Sequence, residues 1–324
     1  MEVIVVPACA PQTKPKALYY ALQFARGELL AVFDAEDLPD PDQLRLAAET
    51  FAISPDDCCC LQARLRFHND DDNWLTKQFA IEYACHFELL LPMLASMSLP
   101  VPLGGTSNHF RTDVLRAIGA WDPHNVTEDA DLGIRLARAG YVTGMIEAAT
   151  LEEANCELRN WFNQRSRWLK GWLQTWLVHM REPAQLWRDL GWRGFIVVQA
   201  TMLGVVFSAL VHPFFTAWIA WSIAQHRFLS TDSGFFSILA AGTGLAVLVC
   251  GYVIGVFSAR IAARRLYGRI SWLTILTVMP LYWLLMSVAA WLAIWQFIRA
   301  PFHWNKTRHG ISGSSRRVRR RLPP

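Results

Sequence analysis

Residues 194–221, 234–259 and 271–298 are three stretches of 28, 26 and 28 residues without a single Asp, Glu, Lys or Arg. A helix that crosses a bilayer needs about 20 mostly apolar residues, so each stretch can supply one crossing, and a purely soluble protein is excluded. Charge divides the chain at the same place. Residues 194–324 carry 13 basic residues and one acid, Asp232, for a net of +12, whereas residues 1–193 carry 18 basic and 26 acidic residues, a net of −8. The sequence therefore predicts a polar catalytic or binding domain over 1–193, a transmembrane domain over 194–298 and a basic tail over 299–324. The leading 193 residues are enough for one soluble domain with its own core.

The seven cysteines include no C-x-x-C pair and no His at zinc-ligand spacing, and their odd number does not suggest a disulfide framework. The start, MEVIVVPACAPQ, lacks a basic n-region, and its apolar run is too short for a signal peptide. Both features predict a reducing, cytosolic environment for residues 1–193.

Within that half, residues 3–6 (VIVV) form a β-branched run ended by Pro7, which predicts a buried interior strand. Residues 16–26 (KALYYALQFAR) have helical apolar spacing up to Gly27, and residues 29–33 form a second strand that leads into Asp34, Glu36 and Asp37. A helix from Pro41 to Phe51 and a strand over residues 58–67 follow. Strands alternating with helices predict an α/β fold, in which ligands sit at the carboxyl ends of strands. The acids after residue 33 are as well suited to capping a solvated turn as to holding a divalent cation. Mg²⁺ prefers one or two carboxylates together with phosphate oxygens and water.

Three further clusters have the same double reading. Gly104-Gly105-Thr106-Ser107-Asn108 allows close backbone approach to a ligand, or a plain turn. Thr127-Glu128-Asp129 opens an amphipathic helix that ends near Gly140, where acids are also expected from capping and the helix dipole. Gln164, Arg167 and Trp168 stand at i, i+3 and i+4 on one face of a helix predicted over 160–180. There an Arg can neutralise a diphosphate and a Trp can support a sugar ring, or the pair can anchor a helix at the membrane interface.

The order of these clusters, an acid turn like D-x-D, a Gly-rich segment, T-E-D, Q-x-x-R-W and then apolar blocks, resembles the membrane-embedded family 2 glycosyltransferases, the group of cellulose, chitin and hyaluronan synthases. The resemblance covers residues 3 to about 180. It implies a GT-A-type nucleotide-sugar domain followed by an α-helical membrane domain. It also implies transfer from a nucleotide-diphosphate sugar, expected to be a UDP-sugar, to a polysaccharide or lipid-linked acceptor with inversion at the anomeric carbon. By the same resemblance Asp34 faces the nucleotide, and Glu36 with Asp34 holds Mg²⁺ or Mn²⁺, although Glu replaces the commoner Asp. Asp129 is the base. Arg167 contacts the donor diphosphate, and Gln164, Trp168, Gly105, Thr106 and Glu128 lie on the acceptor side. Lys14 and Lys16 fall where related enzymes carry a K-x-x-x-L-N-like stretch near the donor base, but Tyr19 stands in place of its Asn. Family members have a further strand and acid ahead of the position of Val3. The expectation is therefore an N-terminally truncated domain lacking one wall of the nucleotide pocket. A non-catalytic membrane subunit or pseudoenzyme fragment, binding lipid or a partner chain, is the alternative.

In the membrane half, Arg260, Arg264, Arg265 and Arg269 separate the second and third blocks, which places 259–270 in the cytosol and 222–233 outside. The resulting reading is a multi-pass inner-membrane protein with a cytosolic catalytic domain. A third full crossing would then carry the basic tail outside, so Pro280 is expected to break the third block into an interfacial or re-entrant segment. Residues 301–310 (PFHWNKTRHG) resemble a post-membrane loop that closes over the donor in related enzymes. The arginines at 316–321 suit anionic lipid, and the acidic soluble half disfavours nucleic acid.

Overall fold

The computed structural model describes residues 2–225, 235–267 and 272–300, together with Gly310 and Ser312. Thr13 caps helix α1 (Lys14–Leu22) by accepting from the Lys16 amide, and Pro15 sits in the first turn, where a missing N–H costs no hydrogen bond. Strands β1 (Leu29–Val32) and β2 (Leu38–Pro39) flank the acidic turn. Helix α2 (Gln43–Ile53) leads to β3 (Cys58–Phe67), whose first six residues are all buried, as in a strand covered on both faces. Asn73 and Thr76 form a reciprocal capping box at the start of α3 (Trp74–Cys85). A π-helical turn, His86–Leu90, joins α3 to α4 (Leu91–Ser96). The soluble part continues through β4 (Asn108–Arg111), α5 (Thr112–Ala117), α6 (Glu128–Arg138), β5 (Val142–Glu152) and α7 (Leu158–His179).

The five strands form one mixed sheet in the order β1-β4-β3-β5-β2, with β3 and β5 parallel and the other neighbours antiparallel. Because β4 is antiparallel to both β1 and β3, strands β1, β3 and β5 all run the same way. Their carboxyl ends, at Val32, Phe67 and Glu152, emerge on one side of the sheet. The Gly-rich loop that enters β4 reaches that same side, where the Ser107 amide donates to the Val32 carbonyl at 2.7 Å. This arrangement gathers the acidic turn, the Gly-rich loop and the end of β5. Helix α6 packs against this sheet through Leu132 and Leu136, which share a core with Val32, Cys60 and Phe110.

Helix α8 (Pro183–Val198) runs through a second π-helical turn, Gln199–Gly204, into α9 (Val205–Ala224). Helices α10 (Phe235–Tyr267) and α11 (Trp272–Arg299) follow. Among the described residues, three helices are long and apolar enough to cross a membrane: Pro183–Ala224, Ala241–Leu266 and Ile275–Arg299. Side chains such as Phe214, Trp221, Val247 and Trp295 are exposed on them, the pattern a lipid-facing surface requires.

Two expectations are corrected. Residues 3–6 form no strand; Val3 and Val5 are 77% and 83% exposed, because this run meets no hydrogen-bonding neighbour on the sheet. Helix α11 is unbroken through Pro280. Its packing against neighbouring helices offsets the missing N–H. Both halves of α11 nonetheless touch the soluble domain: Met279 packs in a cluster with Ile81, and the Gln296 amide donates to Ser166 Oγ at 3.3 Å. Most of the 222–233 loop, residues 268–271, residues 301–309 and nearly all of the basic tail lie outside the described residues.

Candidate active site

A cleft of about 290 Å³ lies at the carboxyl ends of β1, β3 and β5. Ten residues singled out from the sequence line it: Lys14, Asp34, Glu36, Gly105, Thr106, Glu128, Asp129, Gln164, Arg167 and Trp168. Lys16 does not. Its ammonium donates to the Pro7 carbonyl at 2.9 Å and to that of Cys9, on the exposed leading segment.

The acid turn is held by local bonds. The Asp34 amide donates to Asp37 Oδ2 at 2.9 Å and to Thr106 Oγ1 at 3.2 Å, and the Thr106 hydroxyl donates to Asp37. Lys14 pairs with Asp34 and donates to the Gly105 carbonyl at 2.7 Å, which ties α1 to the Gly-rich loop. A side chain at Gly105 would place its Cβ 3.1 Å from Asp129 Oδ2, a tight contact that would press the Asp129 carboxylate to shift. Gly171 on α7 has the same role one layer deeper. A Cβ there would lie 2.5 Å from the Thr127 side chain, and its absence lets the Q-x-x-R-W helix press against the start of α6.

Among the described residues, seven carboxylates line the cleft (Asp34, Glu36, Asp37, Glu128, Asp129, Glu152 and Glu153) against two cations, Lys14 and Arg167. The electrostatics reflect this excess. Burial pushes the Asp37 carboxyl up to about 6, against the Thr106 hydrogen bond that favours its charged form. Burial, and next to it Asp129, pushes Glu128 up to about 8; burial also raises Asp129 and takes Glu152 well above the usual carboxylate range. Burial lowers Arg167, opposed by the fields of Glu128, Asp129 and Asp34. For Lys14 burial works against the charged form, and the contact with Asp34 overrides it, leaving the ammonium raised. Carboxylates in such surplus bind an anionic diphosphate only when cations accompany it.

The donor set fits a hard divalent cation. Asp34 and Glu36 offer carboxylate oxygens at the cleft, and among the described residues no thiol or imidazole lines it. Among the described residues no group of three or more His, Cys, Asp or Glu forms a complete cage. Mg²⁺ or Mn²⁺ held by two carboxylates would take its remaining ligands from phosphate and water.

On the α7 wall of the cleft, Gln164 Oε1 accepts from Asn155 at 2.8 Å. Trp168 stacks on Tyr83 with ring centroids 6.2 Å apart, and the Arg165 guanidinium lies 4.8 Å from its ring. Arg165 is fork-bonded to Glu82 at 2.8 and 2.5 Å and donates to the Tyr282 hydroxyl at 3.0 Å, linking α3, α7 and α11 around the tryptophan. Tyr83, Glu152 and Glu153 also line the cleft and carry no role in the sequence reading; Asp37 and Thr127, which line it too, were seen only as parts of the acid turn and of T-E-D. The pair of acids closing β5 was a usable signal, since it repeats the pattern of acids after β1. Nothing local marks Tyr83. At the cleft edge, the Gly310 and Ser312 amides donate to Glu153, the latter at 2.7 Å.

The profile of "glycosyl transferase family group 2" matches residues 29–303. The chain is 32% identical over 114 residues to glucomannan 4-beta-mannosyltransferase 1 of Oryza sativa subsp. japonica, an overlap of 35% of this chain and 22% of the relative. It is 28% identical over 195 residues to beta-monoglucosyldiacylglycerol synthase of Synechocystis sp., covering 60% of this chain and 40% of the relative. The chain thus spans well under half the length of both relatives. A mannosyltransferase from Pyrobaculum calidifontis, solved with GDP-Man and Mn²⁺, shares the fold at a TM-score of 0.54 and 17% identity, over 89% of this chain and 67% of the other.

Proposed function

The chain belongs to glycosyl transferase family group 2, and from that membership we propose that it moves a sugar from a nucleotide-diphosphate sugar to a hydroxyl of a polysaccharide or glycolipid acceptor, with inversion at the anomeric carbon. The observation that carries this reading is the convergence of Asp34, Glu36, Asp129, Gln164, Arg167 and Trp168 on one cleft from three separate parts of the chain, the turn after β1, α6 and α7. Asp129 takes the proton of the acceptor hydroxyl. Its burial supports the role, because a base whose pKa is raised toward the working pH removes a proton more effectively. Arg167 and Lys14 counter charge on the departing diphosphate. Asp34 and Glu36 hold Mg²⁺ or Mn²⁺, which when bound neutralises diphosphate oxygens. Gln164 and Trp168 orient the acceptor, with Gly105, Thr106 and Glu128 beside it.

The proposed organisation keeps a catalytic domain over 1–193, a membrane domain over 194–298 and a basic tail after it. The Arg265 guanidinium, at the basic end of α10, donates to the Glu88 carbonyl of the soluble domain at 3.3 Å. Basic ends face the cytosol, so this contact supports a catalytic domain at the cytosolic face of the inner membrane. The contacts of both halves of the unbroken α11 with the soluble domain support an interfacial course for that helix.

Transfer from UDP- and GDP-linked sugars by the purified full chain tests the proposal. Activity should require Mg²⁺ or Mn²⁺. Asp129→Asn should lose about 10²–10⁴-fold in turnover while still binding nucleotide diphosphate, since the base acts on the acceptor alone. Full activity in EDTA, or an active Asp129→Asn variant, refutes the assignment.

A further inference from the structure

A second cavity, of about 570 Å³, adjoins the transfer cleft and shares Tyr83, Gly105, Thr127, Asp129 and Trp168 with it. Beyond these its wall is mostly apolar, with Phe87, Leu90 and Met93 from the π-helical turn and α4, Leu103, Trp172 from α7, and Ile254 from α10. The volume lies within the range of ligand pockets, about 300–1,000 Å³. Asp129 is therefore the junction between a polar chamber and an apolar one.

The position and charge of this cavity select its occupant. One wall belongs to α10, a helix long and apolar enough to cross a membrane, and Ile254 and Met93 at the rim are 65% and 49% exposed. An apolar molecule can thus enter from the bilayer without crossing water. The charged side chains of the wall are Glu82, Arg165 and Asp129. Arg165 is already charge-paired with Glu82 through both terminal nitrogens and its Nε is buried, so it offers the cavity no accessible, uncompensated cation for a lipid phosphate. Burial pushes the His86 imidazole down to about 4, so it is uncharged near neutral pH. A sugar polymer fits poorly too, because each hydroxyl buried here without a partner would cost about 1–3 kcal/mol.

We propose that the acceptor is an uncharged membrane lipid with a free hydroxyl, of the diacylglycerol type, whose acyl chain occupies this cavity and whose hydroxyl reaches Asp129. The inference rests on the glycosyl transfer proposed above and narrows its acceptor. In the step, the lipid oxygen bonds to the anomeric carbon and the bond from that carbon to the diphosphate oxygen breaks. The electron pair of that bond leaves with the nucleotide diphosphate, and the hydroxyl proton passes to Asp129.

The test uses the full chain in phosphatidylcholine nanodiscs with a radiolabelled nucleotide sugar, offering dioleoylglycerol or a soluble oligosaccharide as acceptor. A diazirine-tagged diacylglycerol serves as an independent photolabel. Labelled product should partition into the organic phase, and the photolabel should fall on peptides covering 85–96 and 250–258. Leu90→Trp and the rim variant Met93→Trp fill the cavity. Each should raise the KM for dioleoylglycerol about tenfold or more and abolish photolabelling, with nucleotide diphosphate binding within about twofold of the parent as the check on folding. Transfer confined to the soluble oligosaccharide, or photolabelling unchanged in both Trp variants, overturns the lipid site. Photolabelling of these peptides by a chain that binds no nucleotide diphosphate supports the lipid cavity and sinks the transferase reading instead.

Discussion

Replacing Glu128 by Gln tests the electrostatics of the cleft. Glu128 is 5% exposed in the first turn of α6, and burial, then Asp129, raises its carboxyl from 4.5 to about 8. The folded pKa lies above the unfolded one. Between these values the folded chain keeps a proton that the unfolded chain has released, so stability is highest at low pH and falls as pH rises from about 4.5 to about 8. At 1.36 kcal/mol per pH unit, that rise corresponds to about 5 kcal/mol. Because Glu128 and Asp129 titrate as a pair, that figure belongs to the pair and is an upper bound on what one side chain contributes. Glutamine keeps the shape and removes the ionisation. At pH 8 and without divalent cation, Glu128→Gln should therefore gain stability, by at most about 5 kcal/mol, read as an apparent unfolding midpoint several degrees higher. Tryptophan-fluorescence melts of the detergent-solubilised chain from pH 5 to 9 read this directly. The parent curve should fall with pH and the variant curve should be flatter, the two converging near pH 5. Parallel curves would refute the claim that a buried carboxylate pair sets the pH response.

Gly105→Ala should lower turnover about tenfold or more with little change in nucleotide affinity, because its Cβ would crowd Asp129 Oδ2; steady-state kinetics separate the two effects. Glu82→Gln should destabilise the chain by about 3 kcal/mol, read as a lower melting midpoint, since it leaves the Arg165 guanidinium, 2% exposed, without its counter-charge. Adding Mg²⁺ with nucleotide diphosphate should flatten the pH dependence of the parent's melting midpoint, because cations in the cleft lower the cost of ionising its carboxylates.

Local signals specified a good deal of this protein. The charge-free stretches became the long apolar helices. The strand expected over residues 58–67 became β3 with the same bounds, and the 3.6-residue period that put Gln164, Arg167 and Trp168 on one face holds in α7. Such signals act over a few residues: a strand's alternation, a capping side chain, a turn of helix. They do not report which strand lies beside which. Insertion of β4 between β1 and β3 aligned the carboxyl ends that carry Asp34 and Glu152, and residues 3–6 paired with no strand of the sheet. Likewise Tyr83 entered the cleft, and Tyr282 reached Glu82 across 200 residues of sequence, only through helix packing. Pro280, a helix breaker by its own chemistry, stays inside α11 because neighbours hold both halves of that helix. The sequence alone determined which residue types were available and which local elements they would form. Tertiary structure decided which of them share a site, because burial and strand pairing depend on partners that a linear pattern does not record.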